Sequence, residues 1–272
     1  YAIGSESSKI EILDLKGKLI KKLLLTTEDG KPKGPRYVTS GEGCVFFTAT
    51  DGTVSRLDTL TQEITGMAQL GYQYPEALTY ANGKLYVNIS NRANSGYIGQ
   101  MVALVNPKSM EKESEIPVKL NPYTVIFDGK DGYVYVVSNG NYAGTPGLPE
   151  EQWVYQTLQR IDVQTSQVEE VCNATYAAKK GDNIYVLYAE YLPERNSCFV
   201  YNVKTKEKKE FINIEDIPSP GGIAVDPVSE DVYIINQPYG SLNDVYIYSK
   251  DGQFKKKIET GIYTTNIRFL AE

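Results

Sequence analysis

Histidine is absent from this chain of 272 residues, and that absence removes more chemistry than any other feature of the composition. Without an imidazole there is no Ser-His-Asp or Cys-His catalytic arrangement and no histidine-ligated metal site. The chain also lacks a Gly-x-Ser-x-Gly motif, a Walker loop and a dinucleotide fingerprint. The sequence therefore predicts a protein that is not an enzyme, with no catalytic residues, no metal and no cofactor.

Cysteines, basic stripes and long apolar runs are also scarce. The three cysteines, Cys44, Cys172 and Cys198, form no Cys-x-x-Cys pair, so we expect buried thiols and leave a Cys172–Cys198 disulfide open. No apolar run approaches the roughly 18 residues of a membrane-spanning helix, so no spanning segment is predicted. The net charge is −6, and the basic residues form no stripe along the sequence. Both observations argue against nucleic acid as a partner.

The chain does contain a repeated module, which is complete once between Asn121 and Cys172. Apolar or alternating runs at 121–128, 133–139, 158–162 and 168–172 are rich in β-branched and aromatic residues, as strands are. Polar turns separate these runs, and a long polar insertion precedes the third. The pattern predicts a four-stranded antiparallel meander.

The turn between the third and fourth strands is the clearest mark of this module. There a short Asx or Ser side chain ends an alternating run, where it can accept a hydrogen bond from the backbone N–H two residues on. The turn begins at Asp14, Asp58, Asn106, Asp162, Asn202 and Ser249. Subtracting successive positions gives steps of 44, 48, 56, 40 and 47 residues. A period of about 40–50 residues with four strands in each repeat predicts a β-propeller.

We expect an all-β propeller of four-stranded antiparallel blades, six of them visible in this chain, forming one domain over residues 1–272. The first strands of the five whole repeats begin with Pro35, Pro75, Pro122, Ala174 and Pro220. The N-terminal repeat, residues 1–25, lacks a first strand, whereas Tyr263–Leu270 has first-strand character. We therefore expect residues 263–270 to pair beside the N-terminal strands and close the ring, because closure removes exposed sheet edges.

Tyrosine is over-represented, with 22 residues against seven Phe and one Trp. About half of the tyrosines lie at alternating strand positions, where packing between blades explains them. In a propeller, the connections from strand four to the next strand one emerge on the same face as the connections from strand two to strand three. In this sequence both kinds of connection carry aromatic, amide and arginine side chains, which suit recognition. The predicted ligand-binding residues are Arg36, Tyr74, Asn121, Tyr123, Asn139, Asn141, Tyr142, Trp153, Tyr155, Tyr191, Gln237, Tyr239 and Tyr263. The alternative, that loops are simply rich in Asn, Gly and Tyr, stays open.

Several segments together resemble the YVTN-type bacterial propellers. They are Asn121–Tyr123, Tyr133–Tyr142, Leu158–Asp162, Gly222–Pro227 and Asp231–Ile235. Nearly the whole chain is similar to surface lipoprotein propellers of gut bacteria, some of which capture vitamin B12 and related corrinoids for an outer-membrane transporter. Members of that group typically have seven blades, which implies a further blade before Tyr1 if the chain has been trimmed. Their lipid-bearing N-terminal Cys is absent here.

The resemblance implies a non-enzymatic binding protein at the cell surface, anchored to the outer membrane or periplasmic, that captures a corrinoid for an outer-membrane uptake system. A glycan- or peptide-binding accessory and a protein-docking scaffold stay open as other classes. A lactonase-like hydrolase needs acidic metal ligands, for which only Glu76 and Glu190 are near candidates. Asp128–Gly132 lacks the alternating ligands and distal Glu of a calcium loop, so we predict a turn there.

Overall fold

The computed structural model describes residues 1–93, 96–190 and 195–269, and this part of the chain is almost entirely β-structure. It contains strands β1 to β25 and a 3-10 helical turn at Glu150–Gln152. No helix in the described part is long and apolar enough to cross a membrane. Apart from one two-stranded hairpin, the strands form six antiparallel sheets in chain order, one three-stranded and five four-stranded, which confirms the predicted β-propeller class and the six visible blades.

The blades follow one another in chain order. Blade 1 contains β1 Ala2–Gly4, β2 Lys9–Leu13 and β3 Leu19–Leu24; blade 2 contains β4 Pro35–Gly41, β5 Cys44–Ala49, β6 Thr53–Asp58 and β7 Ile64–Gln69. Blade 3 contains β8 Pro75–Ala81, β9 Lys84–Ile89, β12 Met101–Val105 and β13 Lys112–Pro117, with the hairpin of β10 Arg92–Ala93 and β11 Gly96–Tyr97 inserted before β12. Blade 4 contains β14 Pro122–Ile126, β15 Tyr133–Ser138, β16 Thr157–Asp162 and β17 Val168–Asn173. Blade 5 contains β18 Tyr176–Lys180, β19 Asn183–Tyr188, β20 Ser197–Asn202 and β21 Lys208–Ile212; blade 6 contains β22 Pro220–Val225, β23 Val232–Asn236, β24 Asn243–Tyr248 and β25 Phe254–Thr260.

All six predicted turns form as expected. In each turn the Asx or Ser side chain accepts a hydrogen bond from the backbone N–H two residues on. The donor–acceptor distances are 2.9 Å at Asp14, 2.9 Å at Asp58, 2.9 Å at Asn106, 2.8 Å at Asp162, 3.0 Å at Asn202 and 3.3 Å at Ser249. The period read from the sequence is therefore the period of a real structural unit.

A β-bulge follows the leading proline of four first strands. Pairing with the second strand shifts by one residue after the prolines of β4, β8, β14 and β22. The residues directly behind these prolines are Arg36, Glu76, Tyr123 and Gly221. Because a bulge adds an unpaired residue and redirects its side chain, these positions escape the regular in-and-out alternation of a strand.

The described chain divides into two compact units. Unit 1 comprises Tyr1–Phe127, Gly132–Asn139 and Gln159–Glu169. Unit 2 comprises Asp128–Asp131, Gly140–Leu158 and Glu170–Glu272. The prediction of a single domain over residues 1–272 stays a prediction.

Apolar cores lie between consecutive blades within each unit. In unit 1, Phe46 of blade 2 and Leu78 of blade 3 belong to one buried cluster. Polar side chains add to this packing, since Thr48 Oγ1 donates to the backbone carbonyl of Glu76 (3.0 Å). In unit 2, Leu187 of blade 5 and Ile234 of blade 6 share a cluster. The core of each unit is thus a stack of blade faces, which holds the strand ends in fixed positions.

The C-terminal segment departs from the prediction. Tyr263–Phe269 forms no strand in the structure, and Leu270 lies outside the described residues. The segment packs on blade 6 instead, where the Phe269 ring lies 5.1 Å from the ring of Tyr233. The predicted strand was therefore wrong for these described residues, while the closure of the ring stays a prediction.

Side-chain capture explains why this segment is not a strand. The Thr264 backbone N–H donates to Asn243 Oδ1 (2.6 Å), so a side chain takes the donor that a sheet ladder would use. Thr260 and Thr264 also lie within hydrogen-bond distance through their hydroxyls (3.0 Å). Side-chain hydrogen bonds to the backbone compete in this way with regular secondary structure.

The three cysteines are free thiols, so the open Cys172–Cys198 disulfide is not formed. Burial raises the pKa of Cys172 and of Cys198 to about 12. Because the thiolate is the reactive form, both groups are chemically quiet at neutral pH.

Candidate functional site

The long connection between β15 and β16 is ordered by its own hydrogen bonds. Within unit 2, Asn141 Oδ1 accepts from the Val154 backbone N–H (2.8 Å), and Asn141 Nδ2 donates to the Gln152 carbonyl (2.7 Å). Gly140 has a φ of +58°, and a Cβ there would lie 1.9 Å from the Val154 carbonyl oxygen. Glycine is therefore required where the two ends of the connection run side by side.

This connection presents an aromatic pair with a guanidinium, which we call the Trp153 cluster: Trp153, Tyr155 and Arg195. The two rings lie 6.2 Å apart and nearly perpendicular, at 88°. The Arg195 guanidinium carbon is 5.9 Å from the Trp153 ring and 5.7 Å from the Tyr155 ring, and Nη1 donates to the Tyr155 hydroxyl (3.2 Å). Both rings are partly exposed. The cluster thus offers a wetted aromatic surface with donors beside it.

A buried threonine joins the segments that support this cluster. Thr175 Oγ1 contacts Gln156 Oε1, directly after Tyr155. The same oxygen accepts from the Ala189 backbone N–H (2.8 Å) and lies 2.7 Å from the Ala189 carbonyl. One hydroxyl therefore holds the end of the long connection against the end of β19. Residue 190, the next along the chain, is positioned by this contact.

That next residue is Glu190, and its carboxylate is unusual. Both carboxylate oxygens are buried and have no hydrogen-bond partner. Burial raises the pKa of Glu190, and the nearby charge of Arg195 lowers it in part. The guanidinium that contacts both rings therefore also acts on this carboxylate. Buried polar atoms in proteins nearly always find partners, so two buried oxygens on one side chain without a protein partner are unusual.

Unit 1 contains a second polar arrangement, the Glu76 cluster, formed by Arg36, Tyr37, Glu76 and Tyr123. Arg36 donates twice to one oxygen of the fully buried Glu76, from Nε (2.9 Å) and Nη2 (2.6 Å). The other oxygen, Oε1, has no partner. The rings of Tyr37 and Tyr123 meet edge to face at 5.9 Å. Two of the predicted ligand-binding residues, Arg36 and Tyr123, are thus brought together here.

Burial dominates the electrostatics of the Glu76 cluster. It raises the pKa of the Glu76 carboxyl to about 7, against the lowering effect of the Arg36 guanidinium. Burial also raises the pKa of Tyr37, and the neighbouring Tyr123 adds to that effect. The ion pair does not fully offset the cost of removing the carboxylate from water.

Two predicted residues sit in left-handed backbone conformations directly before a leading proline. Tyr74 has a φ of 52° and Asn121 a φ of 60°. Asn121 is only 1% exposed, and neither polar atom of its side chain has a hydrogen-bond partner. Its carbonyl accepts from the Asn139 backbone N–H (2.8 Å). Tyr74 is half-buried, and its ring lies 5.9 Å from the Arg92 guanidinium.

The other predicted residues are more exposed. Tyr239 is 91% exposed and Tyr263 is 54% exposed, and their rings meet at 6.3 Å. Gln237 is half-buried, and its backbone N–H donates to the Ser219 carbonyl (2.7 Å). Tyr142 is 38% exposed. Tyr191 lies outside the described residues.

Three residues of the two clusters were not among the predicted ligand-binding residues: Tyr37, Glu76 and Arg195. Glu190, which lies near Arg195, was not among them either. The sequence named both glutamates only as near candidates for acidic ligands of a hydrolase. Among the described residues, no group of three or more His, Cys, Asp or Glu side chains is placed to hold a metal ion. The position behind the leading proline is the signal that marks Glu76, whereas nothing in the local sequence marks Glu190.

The Asp128–Gly132 segment forms a turn whose carboxylates meet a lysine. The Lys130 backbone N–H donates to Asp128 Oδ1 (3.1 Å). In unit 2, the buried ammonium of Lys179 lies 2.7 Å from Asp128 Oδ2 and 3.2 Å from Asp131 Oδ2. A positive side chain therefore occupies the place between these carboxylates that a calcium ion would need.

Comparison with known proteins shows the fold alone. No protein-family model matches the chain, and no curated protein matches it. Among solved structures, the computationally designed Ika8 protein has a TM-score of 0.59 and 13% identity, over 89% of this chain and 65% of that one. Hydrazine synthase of Kuenenia stuttgartiensis has a TM-score of 0.62 and 15% identity, over 89% of this chain and 69% of that one. This chain therefore spans 65% of the designed protein. At such low identity, these neighbours support the β-propeller fold and indicate no function.

Proposed function

We propose that this protein is a non-enzymatic binding protein that captures a corrinoid, or a similar planar nutrient edged with amides, at the Trp153 cluster. The observation that carries the proposal is the cluster itself, because two perpendicular, partly exposed rings lie beside one guanidinium. Asn141 and Gly140 hold the connection that bears the rings, so little ordering remains to be done on binding.

The chemistry of a corrinoid suits this surface. Its large planar ring offers apolar area for Trp153 and Tyr155, and its carboxamide side chains offer both donors and acceptors. Arg195 supplies donors for amide carbonyl groups. The chain has no histidine and therefore no imidazole for cobalt, so binding would rest on shape and hydrogen bonds. Oligosaccharides, which use similar surfaces, are the main competing ligand class.

The resemblance to surface propellers of gut bacteria supports the proposed setting. In that setting the protein is exposed at a Gram-negative cell surface, anchored to the outer membrane or periplasmic. It would pass its ligand to an outer-membrane transporter. Capture by a rigid scaffold with an ordered long connection fits such a role, because binding residues commonly lie on loops that a scaffold positions.

Isothermal titration calorimetry with cyanocobalamin tests the proposal. We expect binding at micromolar concentration or tighter. We expect Trp153→Ala or Tyr155→Ala to weaken binding by about 2 kcal/mol, roughly 30-fold, because aromatic anchors dominate recognition. The melting temperature should change little. Lys256→Ala, on the exposed face of β25, is the matched control and should change neither quantity.

Failure of cyanocobalamin to bind the parent protein at micromolar concentration would remove the corrinoid. Unchanged affinity in both aromatic variants would instead move the site away from this connection. Binding of an oligosaccharide such as cellohexaose in place of the corrinoid would assign the protein to the glycan-binding class.

A further inference from the structure

Glu190 stands out among the charged groups of unit 2 because its surroundings satisfy neither of its carboxylate oxygens. By contrast, the carboxylates of Asp128 and Asp131 in this unit are paired with the buried ammonium of Lys179. Leaving a buried acceptor without a donor is costly, and the cost is larger for a charged group. A position of this kind persists where something else on the molecule holds it in place.

The structure shows what holds Glu190 in place. The residue before it, Ala189, is fixed through both its N–H and its carbonyl by Thr175 Oγ1, at 2.8 and 2.7 Å. The backbone N–H of Glu190 itself donates to Asn196 Oδ1 (3.3 Å). The backbone on which Glu190 sits is therefore fixed by hydrogen bonds from Thr175 and from Asn196, the residue before β20.

Arg195 is the charged group that faces Glu190, and it does not satisfy the carboxylate. Its guanidinium donates to the Tyr155 hydroxyl and lies over the rings of Trp153 and Tyr155. It acts on Glu190 through its charge. The same guanidinium thus connects an aromatic surface with an acceptor that has two unused oxygens.

We propose that Glu190 is the specificity-determining residue of the Trp153 cluster, accepting hydrogen bonds from N–H or O–H donors of the bound ligand. The inference rests on the proposed function and deepens it, because it states which ligands the cluster selects. Ligands that present a primary amide, an amine or neighbouring hydroxyls fit the carboxylate. Ligands that present a carboxylate at this point are rejected, since two negative charges would meet in a poorly hydrated place.

The proposal has a distinctive pH signature. A ligand donor stabilises the charged form of Glu190, so affinity should fall as pH drops through the raised pKa of the free carboxyl. The chain has no histidine, so no imidazole titration contributes to the pH dependence of binding between pH 5 and 8. Glu76 does titrate near this range, so each variant must be compared with the parent protein at the same pH.

The test is calorimetric binding of three probes to the parent protein, Glu190→Gln and the control Glu151→Gln, from pH 5 to pH 8. The probes are cyanocobalamin, its monocarboxylic acid with one side-chain amide hydrolysed, and cellohexaose. Glu151 is an exposed glutamate on the same long connection, so it controls for the loss of one negative charge.

We expect Glu190→Gln to weaken cyanocobalamin binding roughly 10- to 100-fold at pH 8 and to flatten its pH dependence, because hydrogen bonds to charged groups are the strong ones. Glu151→Gln should match the parent protein. The parent should bind the monocarboxylic acid more weakly than cyanocobalamin, and Glu190→Gln should narrow that difference.

Each other outcome is decisive. If the parent binds cyanocobalamin and Glu190→Gln leaves both affinity and pH dependence unchanged, the inference is overturned while the proposed function stands. If only cellohexaose binds and Glu190→Gln weakens it, the corrinoid is removed and Glu190 keeps its role toward hydroxyl donors. If no probe binds the parent protein, both proposals are overturned.

Discussion

Glu76 in unit 1 and Glu190 in unit 2 are both glutamates with buried, unpaired oxygen atoms, yet their surroundings differ in kind. Glu76 is wholly enclosed and receives two hydrogen bonds from Arg36 on one oxygen. Glu190 receives none, although Arg195 is close enough to influence its pKa. In the second case the arginine contacts exposed aromatic rings instead.

Under the proposed function, this difference separates a structural ion pair from a group that takes part in recognition. Arg36 and Glu76 come from neighbouring first strands, so their contact joins blade 2 to blade 3. Arg195 lies beside the partly exposed rings of Trp153 and Tyr155, and the proposals assign it and Glu190 to ligand recognition. Burial raises the pKa of both carboxyls, which shows that a perturbed pKa alone does not distinguish the two roles. The hydrogen-bond partners of each carboxylate distinguish the two roles.

Removing the arginine from the enclosed pair is the strongest way to test this comparison. We expect Arg36→Met to lower the free energy of unfolding by about 3–5 kcal/mol at pH 8, because it leaves the charge of Glu76 buried and unpaired. Urea denaturation measures this quantity. Lys31→Met is the control, since the Lys31–Asp29 pair is exposed and such pairs contribute about 1 kcal/mol or less. Equal stability of the two variants would contradict the structural role of Arg36.

The pH dependence of stability provides the next test. The pKa of Glu76 is raised from 4.5 to about 7 in the folded protein, so the folded state binds this proton more tightly than the unfolded state. Its contribution to stability is therefore greatest below pH 4.5 and is lost as pH rises toward 7. The loss amounts to about 3 kcal/mol, at 1.36 kcal/mol for each pKa unit.

The comparison of the parent protein with Glu76→Gln isolates this contribution, since other carboxylates are common to both. The difference between their unfolding free energies should change by about 3 kcal/mol between pH 4.5 and pH 7.5. A difference that stays constant across this range would show that Glu76 does not titrate there.

The support beneath Glu190 is expected to have a smaller effect. Thr175→Val removes the acceptor of the half-buried Ala189 N–H, so we expect a loss of about 1–2 kcal/mol in unfolding free energy. Ligand affinity should fall as well, because Glu190 is no longer held in position. Thr175→Ser keeps the hydroxyl and should restore affinity. If valine and serine variants bind alike, the threonine does not position the site.

Arg195→Met should have the smallest effect on stability, within about 1 kcal/mol, as expected for an exposed cation beside aromatic rings. It should nevertheless weaken ligand binding. The comparison with Arg36→Met is then complete, since one arginine stabilises the fold and the other serves recognition. A strong destabilisation by Arg195→Met, measured under the same urea conditions, would erase that distinction.

Local sequence determines most of the fold. The second strand of blade 6 was predicted at Val232–Asn236 and has those bounds, because β-branched residues alternate between two polar turns. The Asx turns were predictable for the same reason, since side chain and backbone donor lie two residues apart. Tyr263–Phe269 has strand-like composition too, but its conformation depends on Asn243. A hydrogen bond between residues some 20 positions apart cannot be predicted from a local sequence pattern.

The candidate site was predictable only in part, for the same physical reason. Trp153 and Tyr155 share one connection, so the sequence placed the two rings together correctly. Arg195 reaches them from the next blade, 40 residues along the chain. The burial of Glu190 and of Glu76 arises from packing between strands. Partners across blades and unpaired buried atoms become visible only when the chain is folded.

The repeated bulge behind the leading proline has a further consequence, for how this protein can change over time. The extra residue lies outside the ladder, so its side chain is not constrained by strand register. The same backbone device already carries arginine, glutamate, tyrosine and glycine at residues 36, 76, 123 and 221. A duplicated blade can therefore acquire a new side chain at this position while its hydrogen-bonded framework is inherited unaltered. In the four repeats that have this bulge, one side chain can thus vary without any change in the hydrogen-bonded framework.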